Sequence, residues 1–100
     1  MPITGPQARA ARVLVEWPRD HVARLSGVEA ETLTAFERGK IDPGDGARNA
    51  IKAALESGGA VFIPEDSRQG AGVRLKFTKK DARQINRLES EGGPVGDDDV

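Results

Sequence analysis

The sequence predicts a mainly α-helical domain, a bundle of short helices that runs into a short β-hairpin and then a further C-terminal helix. Three observations carry this expectation. Apolar residues recur at helical spacing up to Glu56. Residues that start or stop helices punctuate the same stretch, among them Thr4, Pro6, Pro18, Gly27 and Gly39. Beyond Gly58-Gly59 the apolar period shortens to two.

The first helix begins at Thr4, where Thr4-Gly5-Pro6-Gln7 fits a capping box and Pro6 suits a first turn that needs no donor. Apolar residues at 8, 11, 14 and 15 form its inner stripe, with Arg9, Arg12 and Glu16 facing away. Pro18 disfavours helical geometry at Trp17 and ends this helix. Trp17 is expected to seal it against the hairpin. A second helix follows over roughly 18–25, with Val22, Ala23 and Leu25 inward and His21 on the surface. Gly27 can take a left-handed turn without steric cost, so Ser26-Gly27 breaks the chain there. The third helix spans about 29–38, anchored by Val28, Leu33 and Phe36 and ended by Gly39, with Glu37 and Arg38 as an ordinary cap and surface pair. Residues 41–46 read as a turn or a short helical turn. Ala47–Glu56 is a fourth helix, burying Ala50, Ile51, Ala54 and Leu55, and Ser57-Gly58-Gly59 terminates it.

Ala60–Ile63 and Gly72–Phe77 then read as two strands joined by a polar loop. Val73, Leu75 and Phe77 fall on one face of the second strand, Arg74 and Lys76 on the other. Thr78-Lys79-Lys80-Asp81 is a second capping-box pattern, and residues 79–90 read as a helix with Ala82, Ile85 and Leu88 as its thin apolar face. From Glu91 onward the composition is that of a disordered tail. The expected division is 1–59 for the helical unit, 60–77 for the hairpin, 78–90 for a basic extension and 91–100 for the acidic tail.

Composition excludes several classes of function. The 100 residues contain no cysteine and one histidine, so disulfides, thiolate zinc sites and histidine metal clusters are out. No nucleophile–base spacing or paired carboxylate pattern appears, and we expect neither an enzyme nor a cofactor nor a bound metal. No run is long and apolar enough for a membrane span and no leader pattern opens the sequence, which makes a cytoplasmic protein the expectation. The net charge of -1 hides strong segregation. Residues 1–40 carry net +1, residues 41–67 net -3, residues 68–87 net +6 and residues 88–100 net -5.

The ordered set of motifs resembles the lambda-repressor-like, or Xre/Cro, helix-turn-helix family, in particular its short bacterial regulators with a terminal hairpin. The resemblance lies in Ile3-Thr4 with Gln7–Arg12 and Trp17, in Val22-Ala23 with Ser26-Gly27-Val28, and in Thr32-Leu33 with Phe36–Gly39. It continues through Ile51 with Ala54–Glu56, Val61–Glu65 and Gly72–Leu75, covering about residues 3–77. It implies a homodimer binding double-stranded DNA, as a transcriptional regulator of the repressor kind, with the third helix in the major groove. On that reading Ala30, Glu31 and Thr34 face the bases, and Arg19, Thr32, Arg38 and Lys40 face phosphates. Arg74, Lys76, Lys79, Lys80 and Arg83 form a basic arm adding backbone contacts. Where the family commonly has Ser-Gln this chain has Pro18-Arg19, and where it has polar and basic residues this chain has Glu29-Ala30-Glu31. Two carboxylates suit a helix N-terminus but not a polyanion. The alternative is therefore a protein-interaction module, an antiactivator or adaptor on the same scaffold, whose third helix meets a protein partner.

Overall fold

A computed structural model describes residues 2–78, which form four helices and an antiparallel hairpin. The helices are α1 (Gly5–Leu14), α2 (Arg19–Ser26), α3 (Ala30–Glu37) and α4 (Asp45–Ser57). The strands are β1 (Ala60–Ile63) and β2 (Gly72–Leu75), paired in the register Ala60↔Leu75, Val61↔Arg74, Phe62↔Val73 and Ile63↔Gly72. The expected helix over 79–90 and the tail over 91–100 lie outside the described residues.

α1 starts as the capping box requires. The Thr4 hydroxyl accepts from the Gln7 N–H at 3.2 Å, and the Thr4 N–H donates to Gln7 Oε1 at 2.9 Å. Gln7 does more than cap. Its side chain is buried, and Nε2 donates to the carbonyls of Gly72 (2.9 Å) and Ile63 (3.3 Å), fastening the loop end of the hairpin to α1. At the other end Val15 caps the helix, and Glu16 turns the chain through the left-handed region at φ 63°.

α2 begins one residue later than expected because Pro18 serves as its N-cap in extended geometry. It ends at Gly27, whose φ of 75° is the left-handed conformation glycine adopts without strain. α3 then folds back on α1 so closely that a Cβ on Gly5 would lie 1.8 Å from the Phe36 carbonyl oxygen. α4 starts two residues earlier than the apolar spacing implied, at Asp45. There Arg48 clasps both Asp42 and Asp45.

The core gathers Ile3, Ala8, Ala11 and Val15 from the first segment, Val22 from α2, and Leu33 and Phe36 from α3. Ile51, Ala54 and Leu55 from α4 and Ala60 from β1 complete it. α2 lies chiefly on α4, and the hairpin lies on α1 and α4.

Five expectations are corrected here. Leu25 is 52% exposed at the end of α2, where no helix among the described residues covers it. Leu14 is exposed as well, so the inner stripe of α1 is 8, 11 and 15. Arg12, expected on the outer side, is the residue that completes this stripe. β2 stops at Leu75, opposite Ala60, the first residue of β1; Lys76 N–H then reaches back to the Gly59 carbonyl at 2.6 Å, and the Phe77 ring lies beside Gly59. Trp17 does not seal α1 against the hairpin. Its ring lies over Gly58 at the end of α4 and meets His21 edge-on at 4.5 Å between ring centroids.

Candidate functional site

The site is built around α3, and its geometry follows from which α3 residues the core takes. Leu33 and Phe36 turn inward, and Val28 packs beside them. That leaves Glu31 exposed and Ala30, Thr32 and Thr34 half-buried on the remaining sides. The Thr34 hydroxyl donates to the Ala30 carbonyl at 2.9 Å, so its oxygen presents lone pairs outward but no proton. Beyond the helix, Arg38 and Lys40 are exposed.

Charge along this element is graded. Glu29 and Glu31 stand at the N-terminal end, Arg38 and Lys40 at the C-terminal end. Both placements complement the helix dipole, so the charges stabilise α3 itself before they meet any ligand. Neither α2 nor α3 has a side-chain cap, since Pro18 and Glu29 make no capping bond, and the first amides of each helix are left for solvent or for an anion.

Glu37 is the largest departure from the surface pair expected with Arg38. Its carboxylate is 1% exposed and binds two guanidinium groups. Arg12 forks onto it, Nε to Oε2 at 2.8 Å and Nη2 to Oε1 at 3.1 Å, while its Nη1 donates to the Trp17 carbonyl. Arg19 Nε donates to Oε1 at 3.1 Å. The carboxylate thus joins α1, the start of α2 and the end of α3 at one point. Arg19, expected to face phosphate, has one edge of its guanidinium committed inward and its side chain 35% exposed.

The sequence held a signal for this cluster. Arg12 lies four residues after Ala8 and three before Val15, an inward position in helical spacing, and Glu37 lies four after Leu33. Two opposite charges on two inward stripes point to each other.

The basic arm is only partly in view. Arg74 and Lys76 are exposed on the outer side of the hairpin, with Arg74 Nη1 donating to the Leu75 carbonyl and Lys76 Nζ 5.6 Å from the Phe77 ring centroid. Lys79, Lys80 and Arg83 lie outside the described residues.

No protein-family model and no curated protein matches the chain. Among the described residues no helix is long and apolar enough to cross a membrane, and no group of three or more His, Asp or Glu side chains is placed to hold a metal ion.

Proposed function

We propose that the chain is a lambda-repressor-like (Xre/Cro) transcriptional regulator that binds double-stranded DNA as a homodimer, with α3 as the recognition helix. One observation supports this most. α2 and α3 are short helices joined through a left-handed Gly27, and Val22, Leu33 and Phe36 hold both onto the bundle while the other side of α3 stays open. In this reading Ala30, Glu31 and Thr34 meet base edges, the Thr34 oxygen as an acceptor and Glu31 toward a cytosine amino group. Arg38 and Lys40 contact phosphates, with Thr32 beside them. Arg19 offers its free edge at the start of α2, held in place by Glu37.

The test is equilibrium binding to the DNA upstream of its own gene across a salt series. Log affinity should fall linearly with log salt, by about 0.9 per phosphate contacted. Arg38→Ala and Lys40→Ala should weaken all sequences alike and each reduce the slope by about 1, while Thr34→Ala should change sequence preference. Absence of binding at low salt would refute the reading.

A second reading is favoured by Glu29 and Glu31, exposed at the leading end of the helix that would enter the groove. There the module docks a basic protein surface through α3. Replacing Glu29 with Ser and Glu31 with Arg separates the two: under this reading the change creates DNA binding where none existed.

A further inference from the structure

Residues 29–37 contain no Lys, Arg, His, Asn or Gln, so the side chains that most often read base edges are missing from this stretch. What remains on its open side is carboxylate, hydroxyl and methyl. At about 100° per residue, Leu33, Phe36 and Glu37 share the inward side of α3, and Glu31, Thr34 and Ala35 the outward one. Glu31 is exposed at the centre of that side, with Thr34 and Ala35 half-buried to its left and right. Ala30 adds a second methyl group one turn before Thr34, and Thr32 falls on the flank.

The hydrogen-bonding capacity of this surface is one-sided. A carboxylate accepts and does not donate. The Thr34 proton is committed to the Ala30 carbonyl at 2.9 Å, so its oxygen only accepts as well. The neighbouring cations do not redress this. Arg12 and Arg19 are drawn to Glu37, and Arg38 and Lys40 follow the end of the helix. Base edges are met by the N-terminal part of a recognition helix.

In the major groove guanine presents two acceptors, N7 and O6, and cytosine presents an amino donor. Adenine sets an acceptor beside its amino group, and thymine shows an acceptor and a methyl group. An acceptor-only surface finds partners in amino groups alone, and cytosine offers one with no acceptor beside it on the same base. Against guanine, the Glu31 carboxylate meets lone pairs and is left desolvated without a donor.

On the reading that α3 enters the major groove, on which this rests, we propose that Glu31 selects cytosine through its amino group. Ala30 and Ala35 favour a thymine methyl beside it, and nothing on α3 reads guanine.

The test begins with selection from a randomised duplex library at low salt, using the unaltered protein, Glu31→Gln and Glu31→Ala. Glu31 is exposed, so neither substitution touches the core. The unaltered protein should return sites with a fixed cytosine. Glu31→Gln, which donates as well as accepts, should move that position to adenine. Glu31→Ala should lose about tenfold in preference there at unchanged salt slope, because no phosphate contact is removed. Every cytosine faces a guanine, so base analogues in the selected duplex decide which of the two is read. A cytosine analogue without the amino group should weaken binding about tenfold at that position and little elsewhere. The deaza analogue of the paired guanine, which lacks N7, should change binding by less than about twofold. Sensitivity to the deaza analogue, or a cytosine preference that survives Glu31→Ala, would overturn the proposal while DNA binding stands. Recovery of no duplex above background would overturn it together with the reading of α3 as a DNA-binding helix.

Discussion

Replacing Glu37 with Ala should destabilise the protein by about 3 kcal/mol, even though the residue is charged and stands next to an exposed arginine. The carboxylate is 1% exposed, and its closer partner Arg12 is 14% exposed, so removing the acid strands a guanidinium that is nearly out of water. Breaking one side of a buried pair costs about 3–5 kcal/mol. The low end applies because Arg12 keeps its bond to the Trp17 carbonyl. Arg19 adds little, since its side chain is 35% exposed and an ion pair so placed is worth no more than about 1 kcal/mol. At about 4–8 °C per kcal/mol for a domain of this size, the midpoint of thermal unfolding should drop by about 12–24 °C. Urea titration of the four corners of a cycle built from Arg12→Ala and Glu37→Ala should return a coupling of about 2 kcal/mol, within the range for contacting residues. Arg12→Met with Glu37→Leu should come close to the starting stability, because apolar groups of similar volume carry no desolvation cost. A loss under about 1 kcal/mol for Glu37→Ala, or additive single changes, would refute the reasoning.

Three further perturbations follow from contacts already described. Gly5→Ala drives a Cβ into the Phe36 carbonyl oxygen, so α1 and α3 must separate; the expected cost is about 3 kcal/mol or more, read from the urea midpoint at unchanged slope. Gln7→Ala leaves the Ile63 and Gly72 carbonyls without their donor and the Thr4 N–H without its acceptor; about 2 kcal/mol should be lost by the same measurement, and Gln7→Glu, which cannot donate, should recover little of it. The Asp66 carboxylate accepts the N–H groups of Arg68 and Gln69, which hold its pKa below the ordinary 3.8. A carboxylate lowered in the folded state contributes stability that is fully present above 3.8 and is lost as the pH falls through its folded value. Carboxyl carbon shifts in an acid titration should show that midpoint below 3.8, and Asp66→Asn should remove this pH dependence of the hairpin loop.

What the sequence made legible was local. The Thr4–Gln7 cap, the Pro18 boundary, the Gly27 turn and the Ala60–Ile63 strand each rest on residues within a few positions of one another, where backbone sterics and short-range hydrogen bonds decide the outcome. The placements it obscured depend on partners far along the chain. Nothing near Gln7 announces Ile63 and Gly72 as its acceptors. Trp17 could be recognised as a packing residue, but its surface, Gly58 and His21, is set by how α2 and α4 meet. The site shows the same division. Ala30, Glu31 and Thr34 could be placed on α3 by counting residues, whereas the tie of Arg19 to Glu37 needed the crossing of three elements.

Gln7 carries one more consequence, for how the molecule opens. A two-stranded hairpin is marginal by itself in water. Here its loop end is held by a side chain that also closes the first turn of a helix, across separations of 56 and 65 residues. Peeling the strands from α1 therefore uncaps that helix in the same movement, and fraying the helix releases the strands. Two segments at opposite ends of the described chain breathe together as one cooperative unit, and neither can loosen at its own intrinsic free energy.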